Sequence, residues 1–94
     1  MNFIELFNMV SQVARPAHKD KIVASAMEEK LQEIDIDSLD AMIIGMYLCD
    51  LYGIPDDDET KDWSPESIEQ FYEYLMRRKT KEPASLDEAL EQIK

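Results

Sequence analysis

Residues 38–52, SLDAMIIGMYLCDLY, constrain this chain more than any other stretch. Leu39, Met42, Met46 and Cys49 step at helical spacing, while Ile43, Ile44, Tyr47, Leu48, Leu51 and Tyr52 crowd the other faces. Gly53 suits the position just past a helix end and Pro55 prevents continuation, so a helix is expected from Ser38 to Tyr52. The chain has only two Gly and no alternating Val/Ile/Thr runs. Both facts favour helices over a sheet throughout. The expected class is all-α.

The flanking segments agree. Residues 2–14, NFIELFNMVSQVA, place Phe3, Phe7, Val10 and Ala14 on one stripe, with Asn2 as N-cap, Glu5 as its capping-box partner and Arg15-Pro16 as the stop. The long stretch 15–36 reads as a connector with one or two helical turns, pinned by Ile22, Val23, Met27, Leu31 and Ile34. Asp56 to Glu59 reads as a solvated acidic run, a turn or short helix. Ser64-Pro65-Glu66 reads as a helix start, followed by Ile68, Phe71, Tyr72, Leu75 and Met76 and closed by Arg77-Arg78-Lys79. Trp63 is expected to staple that start to Phe71 or nearby residues. Beyond Pro83, SLDEALEQIK carries its own capping box, Ser85 with Glu88. A small bundle with one long first connection results.

Charge narrows the function. Of 94 residues 21 are acidic and 10 basic, a net charge of −11. Phosphate backbones need clustered cations, so nucleic acid is excluded as a partner, and basic protein surfaces fit better. One Cys forbids an internal disulfide. No signal peptide or membrane-length apolar run is evident, so a cytoplasmic monomer is expected.

Chemistry concentrates at Asp37-Ser38-Leu39-Asp40. The plainest reading is structural, with Ser38 or Asp37 capping the helix. With its neighbours the stretch resembles the attachment site of an acyl carrier protein. Asp37-Ser38-Leu39 matches the family triplet at the start of its second helix. Tyr52-Gly53-Ile54-Pro55 matches the helix end, and an acidic segment and a last amphipathic helix follow in order. The resemblance covers about residues 3–80, and implies an acyl-carrier-like domain over 1–82 with a C-terminal extension, 83–94.

It further implies that Ser38, flanked by Asp37 and Leu39, carries 4′-phosphopantetheine as a phosphodiester. A helix N-terminus tolerates that anion. A phosphopantetheinyl transferase would load it, and acyl-transferring or acyl-modifying enzymes would use it. The chain itself would be no enzyme. Partner contacts would fall on Asp40, Ile43, Tyr47 and Asp50 of the second helix. Ile43, Tyr47 and Cys49 stand where the family often carries acids, and Asp35 where it carries Gly, which implies dedicated partners with a more apolar docking surface. Met27, Met42, Ile44, Met46 and Met76 would supply an adaptable apolar interior. The rival is an acidic helical adaptor in which Ser38 is only a cap.

The remaining residues suggest little chemistry. His18 has no second ligand nearby and reads as solvated; Cys49 reads as a small apolar residue, and no metal set is evident. Charge repulsion among the acids leads to one expectation. Salt, or millimolar divalent cations, should raise the melting temperature near neutral pH by screening. A melting temperature that stays flat or falls with added salt contradicts it.

Overall fold

The structure is a computed structural model that describes residues 2–14, 24–34 and 36–93. Among the described residues it is an all-α bundle of five helices: α1 (Phe3–Ala14), α2 (Ser38–Leu51), α3 (Asp58–Asp62), α4 (Ile68–Arg78) and α5 (Leu86–Ile93). A single 3₁₀ turn, Leu31–Ile34, lies in the described part of the first connection. The expectations for Arg15-Pro16, His18, Ile22, Val23 and Asp35 fall outside the described residues.

Local chemistry sets most boundaries. Asn2 Oδ1 accepts from the Ile4 N–H at 2.8 Å and opens α1, as its residue type predicts. At the other end of the chain the Ser85 hydroxyl accepts from the Glu88 N–H at 3.1 Å, and Glu88 reaches back to the Ala84 N–H. Gly53 lies just past α2 with φ +65°, the left-handed conformation expected there.

α2 packs against α1, α4 and α5, and α1 also packs against α5. Leu6, Phe7 and Val10 from α1 meet Ile44, Leu48 and Leu51 from α2 and Ile68, Phe71 and Leu75 from α4, all fully or almost fully buried. Phe7 and Phe71 meet edge-to-face with centroids 5.3 Å apart. Each such side chain contributes on the order of 1.5–3 kcal/mol through burial. Ala89 and Ile93 join the same core, so α5 is packed in and shares the core of residues 1–82.

The connector is held by side chains as much as by its own backbone. Asn8 bonds the Ala24 carbonyl at 3.0 Å and accepts from the Ala24 N–H at 2.7 Å. Glu29 accepts from the Ser25 and Ala26 N–H groups, which lowers its pKa from the ordinary value. The Leu31 N–H, which a helix from Ala24 to Glu33 would give to the Met27 carbonyl, goes to the Glu66 carbonyl instead, and the Met27 carbonyl accepts from Glu69.

α4 starts three residues later than Ser64-Pro65-Glu66 suggests. Its cap is Ser67, whose hydroxyl accepts from the Gln70 N–H at 3.2 Å. Residues 64–67 are outside the helix because the Glu66 carbonyl accepts from the Leu31 N–H at 2.9 Å, across a bridge pairing Lys30 with Ser67. The carbonyls of Glu29 and Met27 in turn accept from the Ile68 and Glu69 N–H groups. The connector thus satisfies two first-turn donors of α4.

The end of α4 crosses the end of α2. Thr80 donates its N–H to the Tyr52 carbonyl at 2.9 Å and its hydroxyl to the Gly53 carbonyl at 2.7 Å. A Cβ on Gly53 would lie 2.2 Å from Thr80 Oγ1. Gly53→Ala should therefore cost more than about 1 kcal/mol, since the left-handed conformation alone costs about that much. Urea unfolding would measure it, and an unchanged midpoint would refute the requirement.

Candidate functional site

The candidate site is the first turn of α2 and the two grooves beside it. Asp37 is the N-cap: its Oδ1 accepts from the Asp40 N–H at 2.8 Å, and its carbonyl accepts from the Ala41 N–H at 2.9 Å. Ser38, the first helical residue, is exposed, and its hydroxyl makes no hydrogen bond to the described residues. The cap role therefore belongs to Asp37. Ser38 is left with a solvent-facing oxygen at the positive end of a 14-residue helix.

Ser38 borders both grooves. The first, about 350 Å³, runs along α2 past Met42, Gly45 and Met46, with Lys61 of α3 and Trp63 opposite. The second, about 260 Å³, lies on the connector side and includes Lys30, Ile36 and Glu66. One cationic side chain thus lines each groove beside Ser38.

Gly45 explains how the first groove is floored. Glycine inside a helix costs roughly 1 kcal/mol relative to alanine, so it needs a packing reason. A Cβ there would stand 3.2 Å from the Trp63 ring. The missing side chain admits the indole against α2, where it stacks on Tyr74 at 4.1 Å and meets Phe71 edge-on at 5.2 Å. The Trp63–Phe71 contact expected from sequence is present.

Behind this wall an ion-pair network ties α3 to α4. Asp57 caps α3 through the Thr60 N–H at 3.0 Å and receives Arg78 at 3.1 and 2.5 Å on its two oxygens. Arg78 also donates to Tyr74 Oη at 2.7 Å and to Thr60 Oγ1 at 3.0 Å. Glu59 pairs with Arg77 and with Arg78. The acidic run is thus partly committed to α4 rather than merely solvated. Hydrogen bonds from Arg78 and from the Thr60 N–H hold the Asp57 carboxyl well below its usual range, and Asp57 raises Arg78 in return.

The rest of α2 divides into faces. Leu39, Met42 and Met46 are 59%, 57% and 62% exposed and form a stripe leading away from Ser38. Met42 and Met46 were expected in the interior; the small residues Ala41 and Gly45 face inward instead, with Ile44 and Leu48 between them filling the core. Ile43 and Tyr47 are half-buried, with Tyr47 packed against the core, and Asp50 is exposed. Asp40 is buried, 4% exposed, which offers little of its carboxylate to a partner. Cys49 is buried too, and burial followed by Asp50 pushes its thiol up to about 11, an unreactive setting.

The sequence singles out Ser38 as a candidate but not the groove. Its one legible trace was Gly45 in mid-helix, a gap that only a large partner side chain would justify. Among the described residues no cluster of His, Cys, Asp or Glu is arranged to hold a metal ion, and no helix is long and apolar enough to cross a membrane.

The Asp57–Arg78 pair has a pH signature. A carboxylate whose folded pKa is depressed adds stability above its unfolded pKa, near about 4, and loses it as pH falls through the folded value. Asp57→Asn keeps a capping side chain but loses the charge. It should be less stable than wild type at neutral pH, with the gap steady down to about pH 5 and closing below about pH 4. Urea midpoints across pH would reveal this; a gap unchanged down to acid would dismiss the pair as the cause.

Comparisons with protein-family models, with curated proteins and with solved structures found no match.

Proposed function

We propose that this chain is an acyl carrier protein: it holds an acyl group as a thioester on 4′-phosphopantetheine attached to Ser38. It presents that group to partner enzymes of lipid, polyketide or related specialised biosynthesis, as a cytoplasmic monomer without enzymatic activity of its own. The observation that carries this reading is the division of labour at the start of α2. Asp37 takes the capping duty, and the Ser38 hydroxyl stands exposed and unbonded to the described residues.

The residues present fit the group. A phosphodiester on Ser38 Oγ would retain one negative charge at a helix N-terminus, where backbone N–H groups and the dipole favour anions. Lys61 and Lys30, one in each flanking groove, stand among the carboxylates of Asp56 on one side and of Asp37 and Glu66 on the other. When bound, the prosthetic group supplies the terminal thiol that carries the acyl chain. The apolar floor made by Met42, Gly45, Met46 and Trp63 offers a path along which an attached arm can lie against the protein. No base beside Ser38 is required, because the loading transferase supplies it.

Docking would use both charge and apolar contact. The net charge of −11 steers basic partners toward the chain, while the exposed Leu39, Met42 and Met46 provide apolar anchors next to Ser38. Ile43 and Asp50 extend that surface, and Tyr47 contributes its half-exposed edge. A dedicated partner with a matching apolar patch fits this face better than a purely cationic one.

The rival, an acidic adaptor, predicts no modification at all. Incubation with a phosphopantetheinyl transferase and coenzyme A should add one phosphopantetheine mass to wild type and none to Ser38→Ala. That variant should unfold at nearly the wild-type urea midpoint, because Asp37 still caps. Asp37→Ala should lose about 0.5–2 kcal/mol. An unmodified wild type, or equal mass gain in the Ala variant, sinks the assignment.

A further inference from the structure

The C-terminal end of α2 carries a further pocket, at the opposite end of that helix from Ser38. It encloses about 440 Å³ and is lined by Phe3, Met27, Tyr52, Tyr72, Met76 and Glu82. Its walls come from α1, the connector, the residue just past α2, α4 and the segment that follows α4. Phe3 and Tyr72 meet edge-to-face with centroids 5.1 Å apart. Tyr72 is 38% exposed and opens the pocket to solvent.

The polar side-chain groups on these walls are all oxygen groups. Among the described lining residues none is cationic; the polar atoms are two phenol hydroxyls and one carboxylate. Tyr52 is 4% exposed, yet its hydroxyl makes no hydrogen bond to the described residues. Burial, with the Glu82 charge and then Tyr72 adding to it, pushes this phenol up to about 12, so it remains neutral and keeps its lone pairs available. A buried hydroxyl without a partner calls for one. Thioethers and ring faces complete a surface that is electron-rich throughout, which suits a positive charge on an apolar body.

We propose that this pocket binds a small organic cation, a primary alkylammonium, whose head donates to Glu82 and to Tyr52 Oη while its chain lies against Met27, Met76 and the aromatic rings. Selectivity comes from the absence of any lining cation and from the chain's net charge of −11, which concentrates cations near the surface. Lys79 is the built-in competitor: its ammonium pairs with Glu82 in an exposed setting. Such exposed pairs are weak, so a ligand with an apolar tail can displace it. The site is independent of the carrier reading and of Ser38.

The test is a titration of the full chain with hexylammonium and with hexan-1-ol, followed by residue-resolved amide NMR at neutral pH. Hexylammonium should shift the amides around Phe3, Met27, Tyr52, Tyr72 and Glu82, and bind at least about tenfold more tightly than the alcohol. Glu82→Gln should weaken it by about tenfold, and Lys79→Ala should tighten it by roughly threefold. Both positions are exposed, so neither variant threatens the fold. Tyr52→Phe should weaken binding of the ammonium but not of the alcohol, and Ser38→Ala should leave binding unchanged. Equal affinity for the alcohol would reduce the pocket to an apolar hole, and shifts spread over the acidic surface would reduce it to a charge effect. Either result, or no saturable binding, overturns the proposal. So does equally tight binding of Nα-acetyl-lysine methylamide, which would transfer the site to a lysine of a protein partner.

Discussion

The contact of Trp63 with the bare backbone at Gly45 is the constraint on which the rest of the site depends. The indole joins the turn after α3 to the middle of α2 and stacks on Tyr74 of α4. Because it stands against α2, the chain around Ser64 and Pro65 runs alongside the helix and forms the far wall of the groove next to Ser38. A Cβ at position 45 would require that wall to give by a few tenths of an ångström. Tyr74 then passes the constraint on, since its hydroxyl receives Arg78, and Arg78 holds Asp57 at the start of α3. A five-residue helix is too short to be stable alone. α3 persists because its cap doubles as an ion-pair partner of α4.

α2 serves the molecule differently at its two ends. At its start, capping and exposure are split between adjacent residues, so that Asp37 stabilises the helix and Ser38 is left accessible. At its end, the positive φ of Gly53 lets residues 79–81 cross close over Tyr52, with Thr80 and Lys81 donating to the Tyr52 carbonyl. That crossing buries Tyr52 and carries the chain on to Glu82 beside it. Between the two ends lies an apolar helix whose inward face is cushioned by small residues, which turns Met42 and Met46 outward.

Much was legible where one residue and its near neighbours decide the matter. Asn2, Gly53 and the Ser85–Glu88 pair act within one turn of themselves, and each does what its type suggests. α1 and α2 have the expected spans because their apolar periodicity is strong. The start of α4 was misjudged because Ser64-Pro65-Glu66 is an equally good local signal to Ser67 with Gln70. The choice between them lies with Leu31, whose N–H takes the Glu66 carbonyl from more than thirty residues away. The partnering of Asp57 and Glu59 with Arg77 and Arg78 was equally hidden, since opposite charges in sequence do not say which of them meet.

By itself, then, the sequence determined the helical class, the caps of α1 and α5, the glycine stop of α2 and the candidacy of Ser38. These follow from short-range rules, in which the partners of each backbone group are a few residues apart. Tertiary structure alone decided which of Asp37 and Ser38 would cap, which methionines would face solvent, and that grooves would open beside Ser38 and a pocket beside Tyr52. An apolar run that covers every face of a helix carries no information about direction. Its orientation is resolved only by which neighbours arrive to fill each side, and here those neighbours are Phe7, Trp63, Phe71 and Ala89.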